Sequence, residues 1–143
     1  GPTASGERLD DRLAKVDIAP IPSRVGQRIR NELIFHNTGG AAAPKPDYRL
    51  EIVLREGINS TLVTSTGEAH SQIYNVDAAY QLINIRKKEV VLKGSSHARA
   101  AFERYQSIYS NVRARDDAEV RVARTIADEL KVRLSAFLSR TPA

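Results

Sequence analysis

The chain has 143 residues, 41% of them hydrophobic, which is enough for one domain with a single two-layer core. Lys plus Arg number 22 against 17 Asp plus Glu, a formal net charge of +5, so the long-range field favours an anionic, phosphate-bearing partner without identifying it. There is no cysteine, which excludes disulfides, thiolate metal sites and a cysteine nucleophile and leaves the redox compartment unread. No run approaches the ~20 apolar residues of a membrane-spanning helix, and Gly1 to Asp10 lacks the apolar centre of a signal peptide. Gly1-Pro2 reads either as a protease-cleavage scar or as a start inside a mature protein whose leader was removed.

In chain order, residues 1–14 are polar and charged without a sustained apolar period, which predicts a flexible lead-in. Lys15 to Ala19 alternates as a short strand with Val16 and Ile18 on one face, and Pro20 and Pro22 end it. Ser23 is a helix N-cap, Val25, Ile29, Leu33 and His36 follow at helical spacing, and Gly39-Gly40 stops the helix. Gly26 inside it costs roughly 1 kcal/mol against Ala, so it marks close packing or a backbone contact. From Asp47 the period is two, with Tyr48, Leu50, Ile52 and Leu54 opposite Arg49, Glu51, Val53 and Arg55. Gly57 and Asn59 predict a bulge or bend, Ser60 to Thr64 is β-like again, and Thr66-Gly67 supplies a hairpin turn. The returning strand sets Tyr74, Val76, Ala78, Tyr80 and Leu82 against Asn75, Asp77, Ala79 and Gln81. Arg86-Lys87-Lys88 forms the next turn. A third long strand then carries Val90, Leu92, Ala98, Ala100 and Phe102 on its apolar face and Lys93, Ser95, His97 and Arg99 on the other.

Tyr105 to Arg115 reads as a connection that already begins to turn helical. Asp116 with Glu119 makes a capping-box-like start, and Ala123, Ile126, Leu130, Leu134 and Phe137 trace one stripe of a helix to about Leu138, ~35 Å long. The predicted fold class is α+β in the order β-α-β-β-β-α. Residues 15–140 form one domain, a four-stranded mixed sheet with two helices packed on one face, which leaves the opposite sheet face polar.

Catalytic motifs are missing. The available bases are His36, His70 and His97, and none sits in a GxSxG, GxxxxGK[ST], HExxH or GxGxxG setting. His36 lies by the apolar stripe at a helix end, where packing or capping accounts for it, and Asp116, Asp117 and Glu119 are explained as a helix start. The expectation is a binding protein that is not an enzyme and carries no cofactor or metal. Positive charge and five tyrosines leave nucleic acid as an alternative, and helix, three strands and helix also form a double-stranded-RNA-binding order. Against it stand the acidic start of the last helix and the register of Tyr48, Tyr74 and Tyr80 with core residues.

Ser23-Arg24-Val25-Gly26-Gln27-Arg28-Ile29-Arg30-Asn31-Glu32-Leu33 after a short strand, Ala78-Ala79-Tyr80-Gln81-Leu82, the stretch from Val90 through Tyr109, and Asp117-Ala118-Glu119 to Leu134 occur in this order. Taken together they resemble the LPS-assembly lipoprotein LptE of alpha-class proteobacteria over most of the chain. The resemblance implies an outer-membrane lipoprotein facing the periplasm that binds lipopolysaccharide and plugs the β-barrel translocon LptD, without catalysis and without nucleic acid as a partner. The family's mature chain begins with a lipidated cysteine, so the resemblance implies a membrane anchor absent from this trimmed chain. It departs at His70-Ser71, near where many relatives carry a basic residue.

Lipid A is a phosphorylated glycolipid and calls for Lys and Arg near apolar groups. The candidates are Lys93 and Arg99 on one strand face, His97 between them, Arg49 and Arg55 on a neighbouring strand, and Lys87 and Lys88 at a hairpin tip. For any one of them, keeping a sheet face soluble is the competing explanation.

Overall fold

The computed structural model describes residues 8–39, 42–63, 69–104 and 107–141, with residues 61–63 and 69–70 described by backbone alone. Seven elements follow in order: α1 (Leu9–Ala14), β1 (Val16–Ile18), α2 (Arg24–Thr38), β2 (Tyr48–Val63), β3 (Ala69–Asn84), β4 (Glu89–Glu103) and α3 (Ile108–Arg140). The sheet order is β1-β2-β3-β4. β1 pairs parallel with β2 across the α2 crossover, and the two long hairpins make the remaining pairs antiparallel. The sheet is therefore mixed, as expected.

Alternation decides which face is buried. Tyr48, Leu50 and Ile52 on β2, the even-numbered residues Tyr74 to Leu82 on β3, and Ser96, Ala98 and Ala100 on β4 all turn toward α2 and α3 and are buried. Val25, Ile29 and Leu33 of α2 and Ala123, Ile126, Leu130 and Leu134 of α3 complete the core, the stripes that helical spacing predicts. Ser23 caps α2 by accepting from the Gly26 amide at 3.1 Å, and Gly39 closes it in the left-handed region at φ 64°. Gly26 is a close approach, as its placement suggested. A Cβ there would lie 2.7 Å from Ile21 Cγ2 and 2.8 Å from the Ile21 carbonyl oxygen. Gly26→Ala is accordingly expected to lower stability by about 1–3 kcal/mol despite the better helix former, read as a lower denaturant midpoint; a raised midpoint would contradict this packing.

α2 and α3 lie side by side, and ion pairs cross their seam. Arg24 grips Glu119 with two bonds of 3.0 and 2.7 Å, Arg28 meets Asp116 at 2.5 Å, and His36 Nε2 lies 3.0 Å from Asp128. The Glu119 hydrogen bond raises the Arg24 pKa above its ordinary value. Along the other flank of α3, the Arg121 guanidinium donates to the Ala101 carbonyl at 2.9 Å and Arg133 to the Ser95 carbonyl at 2.5 Å, so α3 covers the outer edge of β4. Arg133 also donates to the Tyr80 hydroxyl, 2.9 Å away. In the core beneath, burial and a hydrogen bond to Glu56 push the Tyr74 hydroxyl pKa well above its ordinary value.

Four expectations are revised. The lead-in contains a third helix, α1, because Leu13 is buried and Arg12, itself buried, donates to the Leu138 and Thr141 carbonyls at the end of α3. Residues 1–7 and the Thr66-Gly67 turn lie outside the described residues. Pairing runs unbroken through Gly57 and Asn59, and the irregularity falls between Ser60 and Val63. A register shift opposite Leu82 and Ile83 pairs Val90 with Ile83, which turns Val90 to the open face at 47% exposure. Finally, α3 begins at Ile108 with Ser107 as its cap, so it runs ~50 Å, and Asp116 and Glu119 are partners of α2 and not a helix start.

Candidate functional site

The face of the sheet turned away from the helices is open, and strand pairing arranges it in rows. Arg49, Ile83 and Val90 form the first, followed by Glu51, Gln81 and Lys93, then Val53, Ala79 and Ser95, then Arg55, Asp77 and His97, then Gly57, Asn75 and Arg99. Five of the seven sequence candidates share this face. Lys87 and Lys88 do not: they sit in the exposed turn after β3, where the Asn84 side chain accepts from the Lys87 amide at 3.0 Å and Lys88 adopts φ 56°. Lys93 and Arg99 are six residues apart along β4, ~20 Å, so they cannot grip one phosphate together.

Partners divide the cations further. Arg49 Nε lies 3.5 Å from Glu51, which also accepts from the Gln81 amide at 2.8 Å, and His97 Nδ1 lies 2.6 Å from Asp77. Among the described residues, Lys93, Arg55 and Arg99 have no acidic partner. Between the Lys93 row and the Arg55 row lies an apolar strip, with Val53 73% exposed and Ala79 beside it. A shallow depression of about 580 Å³ covers the strip and is bounded by Glu51, Gln81, Lys93 and Ser95. Its floor rests on Gly94, whose missing side chain leaves room for the Tyr80 ring from the other side. Such a surface offers two cationic positions, Lys93 and Arg55, ~16 Å apart across apolar ground, four residues along the strands and two strands over, which suits an amphiphile with separated anionic groups.

Periodicity puts Val53 and Ala79 on the polar face, and their apolar character there is the signal that marks the strip. Val90 joins the face only through the register shift. His36 is half-buried between Glu32 and Asp128, a packing and pairing position. Tyr48, Tyr74 and Tyr80 are all buried, so none of the three offers a stacking surface. Among the described residues no group of three or more His, Cys, Asp or Glu side chains is placed to hold a metal ion, and no helix is long and apolar enough to cross a membrane.

No family model matches the chain, and no curated protein matches it. Solved structures do. A Caulobacter crescentus protein assigned as a lipoprotein superimposes with a TM-score of 0.76 at 15% identity, covering 93% of this chain and 97% of that one. The fold is shared with bacterial lipoproteins. Rare lipoprotein B of Shewanella oneidensis has a TM-score of 0.63 at 10% identity over 85% of this chain and 94% of its own. A minor lipoprotein of Acinetobacter baumannii has 0.59 at 11% identity over 91% and 97%. At these identities the likeness is one of fold, and it extends over nearly the whole length of each partner.

Proposed function

We propose that the chain is the folded part of an LptE-type LPS-assembly lipoprotein. In this reading it is held at the periplasmic face of the outer membrane by an N-terminal lipid group, binds lipopolysaccharide through the open sheet face, plugs the β-barrel translocon LptD, and performs no catalysis. The observation that carries the lipid part is the open face itself, where Lys93, Arg55 and Arg99 have no acidic partner among the described residues and stand around the Val53 and Ala79 strip. A phosphorylated glycolipid offers both chemistries such a surface takes, phosphates for the cations and acyl chains for the strip. The sequence resemblance and the shared lipoprotein fold support the cellular setting.

The test is the double charge reversal Lys93→Glu with Arg99→Glu. Both side chains are exposed, so stability is expected to change by no more than about 0.5 kcal/mol for each, read as an unchanged circular-dichroism melt. Two carboxylates where phosphates are to be met turn attraction into repulsion, so capture of lipopolysaccharide falls, more at low salt than at high salt. Equal capture by parent and variant at low salt would remove this face as the lipid site. For the protein partner, the full-length lipoprotein is expected to co-purify with a large outer-membrane β-barrel, and purification without one would count against the plug role.

A further inference from the structure

The apolar stripe of α3 continues past the core. Ile108, Tyr109 and Val112 lie about five helical turns before Ile126, Ala127 and Leu130, which places each pair at the same angle around the helix axis. The later three are fully buried, at 0% exposure. The earlier three are the opposite: Ile108 is 81%, Tyr109 68% and Val112 60% exposed. The first buried residue of α3 is Ala118, so the helix carries its core-facing stripe for more than two turns with nothing of the described protein packed over it. Helix propensity does not require apolar residues at these positions, and Ile and Val are poorer helix formers than the Lys, Glu or Gln that solvent-facing turns ordinarily hold.

Along residues 104–115 the charge has one sign. Residues 104–115 contain three arginines, Arg104, Arg113 and Arg115, and no acidic residue. All three arginines are exposed. The nearest acids are Glu103, Asp116 and Asp117; Asp116 is paired with Arg28 at 2.5 Å, and Glu103 and Asp117 line the cleft between β4 and α3 with Arg121. Isoleucine, valine and tyrosine flanked by arginine, Arg113 and Arg115 on the helix and Arg104 at the end of β4, is the pattern of a helix that lies in a membrane interface, its apolar side among acyl chains and its arginines at anionic headgroups.

We infer that the amino-terminal overhang of α3 docks on an anionic lipid bilayer, through Ile108, Tyr109 and Val112 with Arg104, Arg113 and Arg115 at the headgroups. This surface lies on another element than the sheet face proposed to bind lipopolysaccharide, and the two stand or fall separately. Three apolar side chains make a shallow, reversible contact, an addition to an anchor and not a replacement for one.

The chain has no tryptophan, so Tyr109→Trp gives a single reporter at an exposed position. With phosphatidylglycerol vesicles its emission is expected to shift to the blue, and with phosphatidylcholine vesicles to stay unchanged. Adding Ile108→Ser and Val112→Ser should abolish the shift while the circular-dichroism melt stays that of the parent. Co-sedimentation with phosphatidylglycerol vesicles without a blue shift would mean that charge alone holds the protein there and would overturn the docking surface. An equal shift on phosphatidylcholine would overturn the role of the arginines. A blue shift that needs the β-barrel partner and not lipid would assign the overhang to a protein interface and overturn the proposal. Lys93→Glu with Arg99→Glu, carried on the Tyr109→Trp chain, should keep the shift, which separates this outcome from failure of the sheet-face reading.

Discussion

Leu130→Ala is expected to lower the unfolding free energy by roughly 2–5 kcal/mol, the range for deleting a buried leucine and leaving part of its cavity behind. Leu130 is fully buried near the middle of the α3 stripe and belongs to the same continuous cluster as Leu33, Leu50 and Leu82. The residues around it sit on a helix tied to α2 by ion pairs and to β4 by Arg121 and Arg133, so the backbone cannot close the gap cheaply. Chemical denaturation should show a lower midpoint at unchanged slope. Val132→Ala, at an exposed position of the same helix, should cost no more than about 0.5 kcal/mol. A loss below about 1 kcal/mol for Leu130→Ala would mean that another face of α3 is the buried one.

The second large effect belongs to Arg24 and Glu119. The Glu119 side chain is 3% exposed and that of Arg24 60%, so the carboxylate is enclosed while the guanidinium reaches it from the solvent side. Arg24→Ala leaves a buried carboxylate without its two charge-assisted bonds. The expected loss is about 2–3 kcal/mol, below the full cost of breaking a pair buried on both sides because water can enter where Arg24 stood. Glu119→Leu on the Arg24→Ala background should restore most of that stability, since an apolar side chain suits the enclosed position and no charge remains to be compensated. A double variant as unstable as Arg24→Ala alone would show that the arginine contributes by packing over α3 and not by neutralising Glu119.

These two sites mark where the sequence was legible and where it was not. Leu130 follows from period alone, because a helical stripe that meets an alternating sheet has one way to bury itself, and the β-α-β-β-β-α order with helices on one side follows from the same rule. The partnership of Glu119 with Arg24 is a contact across 95 residues, and period is silent about it. A local explanation, a helix start, fitted Asp116 and Glu119 equally well until α3 was seen to begin at Ile108. Val90 failed for a related reason: Val90-Val91-Leu92 is an unbroken apolar run, which cannot alternate, and the register shift that resolves it depends on the pairing with β3. The α1 helix escaped notice because six residues with one buried leucine carry no measurable period, and what holds them is Arg12 reaching the far end of α3. In the candidate site, the shared face of Arg49, Arg55, Lys93, His97 and Arg99 was readable from alternation. The pairing of Arg49 with Glu51 and of His97 with Asp77 and the ~20 Å between Lys93 and Arg99 needed the register.

The proposed glycolipid ligand is tested most plainly by measuring binding of lipopolysaccharide and of duplex RNA to the same preparation at physiological salt. Saturable binding of lipopolysaccharide is expected, with only weak, steeply salt-dependent association with RNA. Tight, saturable binding of duplex RNA with no response to lipopolysaccharide would contradict it.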